Sequence, residues 1–149
     1  MLAEQIQSDL TAAMKARDEL RVSVLRLAVA GIKEARVAGD VVRDLTDDEV
    51  IAILAREAKR RDEAAAAFTE AGRADRAERE LAERDVLAVY LPAAMSADEL
   101  AALVDEALAE GGFSSPGEMG LAMKAAMAKV AGRADGKAVS ALVKARLAG

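Results

Sequence analysis

Between Thr46 and Pro92 the chain contains one glycine, Gly72, and no proline, so only one point in that stretch invites a break in helical backbone. Thr46-Asp47-Asp48-Glu49 has the form of a capping box: the Thr hydroxyl accepts from the third amide while the Glu carboxylate reaches back to the cap amide. From there Val50, Leu54, Ala58, Arg61, Ala65 and Phe68 recur at spacings of three and four, which predicts one long helix to Gly72, a residue able to take the left-handed cap conformation. A second helix is expected from Asp75 to Leu91, with Ala77, Leu81, Val86, Leu87 and Tyr90 as its apolar members and Pro92 as its stop. Two long helices joined by a short turn form an antiparallel hairpin.

The flanking segments read the same way. A first helix, Ala3 to Arg17, carries the stripe Ile6, Leu10, Ala13 and Met14. A second, Glu19 to Ala38, carries two stripes (Leu20, Val24, Leu27, Gly31 and Val22, Leu25, Val29, Ile32), a pattern expected of a helix packed on two sides. After Pro92, Ser96-Ala97-Asp98-Glu99 repeats the capping box, and Leu100, Leu103, Val104, Ala107 and Leu108 give a clean apolar stripe that Gly111-Gly112 ends. Ser115-Pro116-Gly117-Glu118 predicts a further boxed start with Pro at the first helical position. The helix after it is expected to bury Met119, Met123, Ala126, Met127 and Val130, with Gly120 admitting a neighbouring backbone. Asp135 is a natural N-cap for a last helix with Val139, Leu142, Val143 and Leu147 as its apolar members. Val41-Val42 is too short for a strand.

With 2% aromatic and 53% hydrophobic residues, the core must be assembled from Ala, Leu, Val, Ile and Met, which are helix-compatible fillers. The expected fold is all-α with two helical domains. Residues 1–94 form an N-terminal domain of about four helices including the long hairpin, and residues 95–149 form a C-terminal three-helix domain. No window of about 18 uncharged apolar residues is available to span a membrane, no secretory leader pattern opens the chain and no cysteine occurs; a soluble, cytoplasmic protein is expected.

The side chains argue against catalysis. Without histidine or cysteine the commonest general base, zinc ligands and thiolate nucleophile are all missing. Ser140 has helical spacing to Lys137 and Lys144, but an exposed Ser-Lys pair would have neither pKa shifted. Adjacent acids such as Asp47 and Asp48, or Asp105 and Glu106, point to different sides of a helix. The run from Arg56 to Glu63 alternates in sign at helical spacing and reads as a solvated face laced with weak pairs. No glycine-rich phosphate loop is present. No catalytic residue, metal ligand or cofactor is assigned.

Charge distribution supplies the one positive signal. The formal net charge is −5, yet residues 112–149 hold Lys124, Lys129, Arg133, Lys137, Lys144 and Arg146 against only Glu118 and Asp135. Fields act locally, so this end is the place to hold an anion. On the last helix Lys137, Ser140 and Lys144 share one face, Arg133 precedes it, Gly132 and Gly136 shape the turn, and Asp135 competes for the first amides. The candidate nucleic-acid-binding residues are therefore Lys124, Lys129, Arg133, Lys137, Ser140 and Lys144, with Gly132, Asp135 and Gly136 as the structural turn. Phe68, Tyr90 and Phe113 are too few to stack bases in series, so a folded RNA read by phosphates and shape is the expected ligand class.

Several segments, taken in order, resemble the YqeY (GatB/YqeY) family: Ser23-Val24-Leu25-Arg26-Leu27 with Ile32-Lys33, Leu45 to Val50, Ala71-Gly72-Arg73-Ala74-Asp75, Tyr90-Leu91-Pro92, Met119-Gly120 and Gly132-Arg133-Ala134-Asp135-Gly136-Lys137. The resemblance covers essentially the whole chain. It implies two helical domains, the second similar to the tail of the aspartyl/glutamyl-tRNA amidotransferase B subunit, which assists tRNA binding without performing amide transfer. By position, Gly132, Arg133, Ala134, Asp135 and Lys137 match that tail's turn. The family label of glutamine-dependent carbon-nitrogen ligase goes with a catalytic cradle and an amidase partner that this chain lacks. The implied role is a tRNA-binding accessory linked to tRNA-dependent amidation, with an aminoacyl-tRNA synthetase or amidotransferase as further partners. The alternatives are a helical protein-interaction module, docking a partner on the long hairpin, or a working amidotransferase component.

Overall fold

The computed structural model describes residues 1–149 and contains seven α-helices and no strand: α1 (Leu2–Ala16), α2 (Glu19–Arg36), α3 (Asp47–Glu70), α4 (Ala74–Ala88), α5 (Ala97–Gly111), α6 (Met119–Val130) and α7 (Gly136–Ala148), with a 3-10 turn at Pro116–Glu118. They group into two compact units, Met1–Leu91 and Pro92–Gly149.

In the first unit Ile6, Leu10 and Ala13 of α1 meet Val24, Leu25, Ala28 and Ile32 of α2, Val50, Leu54 and Ala58 of α3 and Leu87 of α4. Every large core member is aliphatic. Of the two stripes expected of α2, every member but Leu27 is buried or half-buried; Leu27 is 58% exposed, and Met14 of α1 is 49% exposed. Leu20, Val22 and Val29 flank the buried Val24, Leu25, Ala28 and Ile32, and α2 packs on α1, α3 and α4, with the side that carries Ser23, Arg26, Leu27 and Ala30 left to solvent.

Helix α3 begins where its capping box dictates. The Glu49 amide donates to Thr46 Oγ1 at 3.2 Å and the Thr46 amide to Glu49 Oε2 at 2.8 Å. Arg43 clamps the same carboxylate at 2.6 and 2.9 Å. The Arg43 guanidinium first, and then the Thr46 amide, hold the Glu49 carboxyl down at about 2.

The charged run in α3 is not uniformly solvated. Lys59 with Glu63 is an exposed pair and Arg60 reaches the half-buried Glu57 from solvent, but Arg61 is only 7% exposed and sits in the stripe between Ala58 and Ala65. Its NH1 donates to the Glu57 carbonyl at 3.1 Å and to Glu57 Oε2 at 3.2 Å. Its Nε lies 3.5 Å from Glu83 Oε2 on α4, within ion-pair range but without hydrogen-bond geometry. The helical spacing that made Arg61 part of the apolar stripe outweighs its charge, because Glu57 and Glu83 are there to meet it. Helix α4 ends at Ala88, three residues short of the expected Leu91. There Tyr90 turns back and donates its hydroxyl to Asp9 Oδ2 on α1 at 2.5 Å. Burial, and then this bond, push the phenol up to about 12.

The second unit packs Leu100, Val104, Ala107 and Leu108 of α5 against Ala122, Ala126 and Val130 of α6 and Val139, Val143 and Leu147 of α7. Ser96 and Glu99 complete the expected box at α5. The third box does not form. Pro116-Gly117-Glu118 closes instead as a 3-10 turn, the Glu118 amide bonding the Ser115 carbonyl at 3.0 Å, while Ser115 Oγ meets Glu118 Oε1 at 2.9 Å. Helix α6 then starts at Met119 and buries Ala126 and Val130 as expected, with Met119 and Met123 packed against the same core; Ala122 is fully buried in addition, whereas Met127 is 37% exposed. No backbone approaches Gly120, around which a Cβ would find open space. The tight position is Gly111, where a Cβ would collide with the Phe113 ring.

Two stability measurements check this packing. Arg61→Ala leaves the half-buried Glu57 and Glu83 carboxylates with only the exposed Arg60 and Arg79 to meet them and is expected to cost about 2–3 kcal/mol in denaturant unfolding, against less than about 0.5 kcal/mol for the exposed Arg60→Ala. The folded state depresses the Glu49 carboxyl, so the stability that its charge contributes is complete above the ordinary value of 4.5 and is lost as pH falls toward about 2. The stability gap between the native chain and Glu49→Gln should therefore close over that window in an acid titration followed by circular dichroism.

Candidate nucleic-acid interface

The turn joining α6 to α7 is built from two consecutive left-handed residues, Ala131 at φ 49° and Gly132 at φ 78°. The Ala131 amide closes on the Met127 carbonyl at 3.1 Å and the Arg133 amide on the Val130 carbonyl at 3.1 Å, satisfying the end of α6. Arg133 then holds the segment that leads into α5. Its carbonyl accepts from the Met95 amide at 3.2 Å and its Nε donates to the Ala93 carbonyl at 3.3 Å. This residue is half-buried and structural through its backbone and Nε, while the rest of its guanidinium keeps its charge at the turn.

Asp135 starts α7 as expected, Oδ1 accepting from the Lys137 amide at 3.2 Å. That bond occupies one of the amides an anion would use. Gly136 is half-buried, and the Met127 methyl lies 3.8 Å from where its Cβ would be. The first turn of α7, expected to be uncovered, is therefore partly covered by Met127 and capped by Asp135. A phosphate held here must be held by side chains.

The six proposed side chains separate into groups. Lys137, Ser140 and Lys144 follow one flank of α7, the two lysines exposed and the hydroxyl between them half-buried. Lys124 is exposed on α6, on the side away from the buried Ala122, Ala126 and Val130. None of these three lysines takes part in the ion pairs of this unit. Lys129 does: its Nζ lies 3.3 Å from Glu106 Oε1 and 3.0 Å from Glu110 Oε2. The hydrogen bond to Glu110 is the main reason its pKa is raised. Arg146 is likewise taken, at 2.7 Å from Asp105 Oδ1.

Asp105 and Glu106 are both exposed and diverge around α5 as their adjacency predicts, and the packing of α5 on α6 and α7, which no local spacing encodes, brings Asp105 to Arg146 and Glu106 to Lys129. Counted over the folded unit, Pro92–Gly149 carries six basic and seven acidic residues. The cations of this unit left outside its ion pairs are thus Lys124, Lys137, Lys144 and Arg133, and the unit as a whole is not basic.

Compared with known proteins, a family model described as Yqey-like protein matches residues 3–147, nearly the full chain. No curated protein matches it.

The turn geometry gives a paired test. Gly132→Ala forces a side chain into a left-handed residue and is expected to lower stability by about 1 kcal/mol, whereas Ala131→Gly relieves the same strain and is expected to raise it by up to about 1 kcal/mol. Thermal unfolding of the two variants should move in opposite directions.

Proposed function

Because the chain belongs to the Yqey-like protein family, we propose that it is a tRNA-binding accessory protein that serves tRNA-dependent amidation without forming the amide bond itself. The observation that carries this reading is the set of three exposed lysines, Lys124, Lys137 and Lys144, left outside the ion pairs that take Lys129 and Arg146. An ammonium in water is a point charge that suits phosphate oxygens and carries no base readout. Ser140 adds a hydroxyl donor between two of the lysines, and the Arg133 turn adds a fourth cation. Such a set fits the backbone of a folded RNA.

Further support is chemical. The chain has no cysteine and no histidine, and neither its exposed lysines nor Ser140 sits in a pocket that would activate it. The family's association with glutamine-dependent carbon-nitrogen ligation is then read as participation in delivery of tRNA to an amidotransferase or synthetase.

Titration of tRNA with the full chain tests the reading. Three to four phosphate contacts give a slope of log affinity against log salt of roughly −2 to −4. Lys137→Glu/Lys144→Glu is expected to weaken binding more than tenfold with helicity unchanged, while Lys129→Gln should lower thermal stability and leave tRNA affinity within about twofold. Undiminished affinity in the double variant, or no tRNA binding by the native chain, contradicts the assignment.

A further inference from the structure

Helix α2 buries one side and presents the other to solvent. Ser23, Arg26, Leu27, Ala30, Lys33, Glu34 and Val37 are all exposed, and at 3.6 residues per turn they lie within about 60° of Ala30 around the helix axis. Leu27 and Val37 are each 58% exposed, two large aliphatic side chains on a face that needs none for the core.

The order of these residues is self-complementary about Ala30. Four residues before it stands Arg26 and four after it Glu34; three before it stands Leu27 and three after it Lys33; seven before it stands Ser23 and seven after it Val37. A two-fold axis crossing the helix at Ala30 sets Arg26 of one chain against Glu34 of the other, twice. It also lays the Lys33 methylenes along Leu27 and seats Val37 over the small Ser23. Neither Arg26 nor Glu34 has an ion-pair partner within its own chain, whereas Arg36 and Arg43 at the next turn and loop are paired with Asp44 and Glu49. Alanine at the axis lets the two helices come close.

We propose that the outward face of α2 is a homodimer contact, its occupant a second copy of this chain packed antiparallel through Ala30 with reciprocal Arg26–Glu34 pairs. The face is one helix of 18 residues. It therefore lies below the roughly 1,000 Å² that a stable complex buries, and the dimer is weak and concentration-dependent.

Charge exchange tests this directly. In sedimentation velocity from micromolar to sub-millimolar concentration at low salt, the mass of the full chain should rise from 15.6 kDa toward twice that value. Arg26→Glu and Glu34→Arg, each alone, set like charges across the axis and should weaken association at least tenfold. An equimolar mixture of the two variants restores opposite charges at both contacts and should associate again, as should the double variant Arg26→Glu/Glu34→Arg. Because the mixture uses the same two proteins that fail alone, its recovery separates lost pairing from lost folding. A native chain that stays monomeric throughout leaves the face to another protein and overturns the proposal, as does association indifferent to either reversal or a mixture that fails to recover.

Discussion

The carboxylates of Asp105, Glu106 and Glu110 on α5 take Arg146 and Lys129 out of the cations that the second unit can offer, and what is left decides what that unit can bind. A carboxylate within 3 to 4 Å of an ammonium screens it from any approaching phosphate, since the pair presents a dipole where the free cation would present a charge. Lys124, Lys137 and Lys144 escape because α5 does not reach them. Which cations of this unit stay unpaired is consequently set by how α5 packs, through Leu100, Val104, Ala107 and Leu108, as much as by α6 and α7.

That packing depends on small residues. Ala122 and Ala126, fully buried on α6, share one core with Leu100, Val104, Ala107 and Leu108 of α5 and Val139, Val143 and Leu147 of α7. With few aromatic side chains to wedge helices apart, both units rely on close helix-helix contact and on well-made helix ends. The first unit adds Arg61, whose buried guanidinium joins α3 to α4 through Glu57 and Glu83. Such a charge contributes little net stability, yet it penalises any slip of the two helices that would separate it from its acids.

Local chemistry made much of this legible in the sequence. Thr46 and Ser96 announced α3 and α5 because a capping box needs only residues three apart. The same signature failed at Ser115, where Pro116 and Gly117 favour a 3-10 turn over a full helical start. The all-helical fold followed from spacing alone, and Asp135 was identifiable as a cap. Side chains whose fate is set by distant partners were not: nothing near Lys129 in sequence points to Glu106 and Glu110, and nothing near Arg61 points to Glu83. Alanine carries almost no signal in an apolar stripe, so the burial of Ala122 beside Ala126 and Val130, with Met127 left partly exposed, was not legible from residue type.

The salt dependence of tRNA affinity, measured for Lys→Gln variants one lysine at a time, bears most directly on whether the three uncommitted lysines contact phosphate. Removal of Lys124, Lys137 or Lys144 should each make the log-log slope shallower by about one, and removal of Lys129 should leave it unchanged. Equal slopes for all four variants, or a loss confined to Lys129, would contradict the proposed division between lysines held by α5 and lysines offered to RNA.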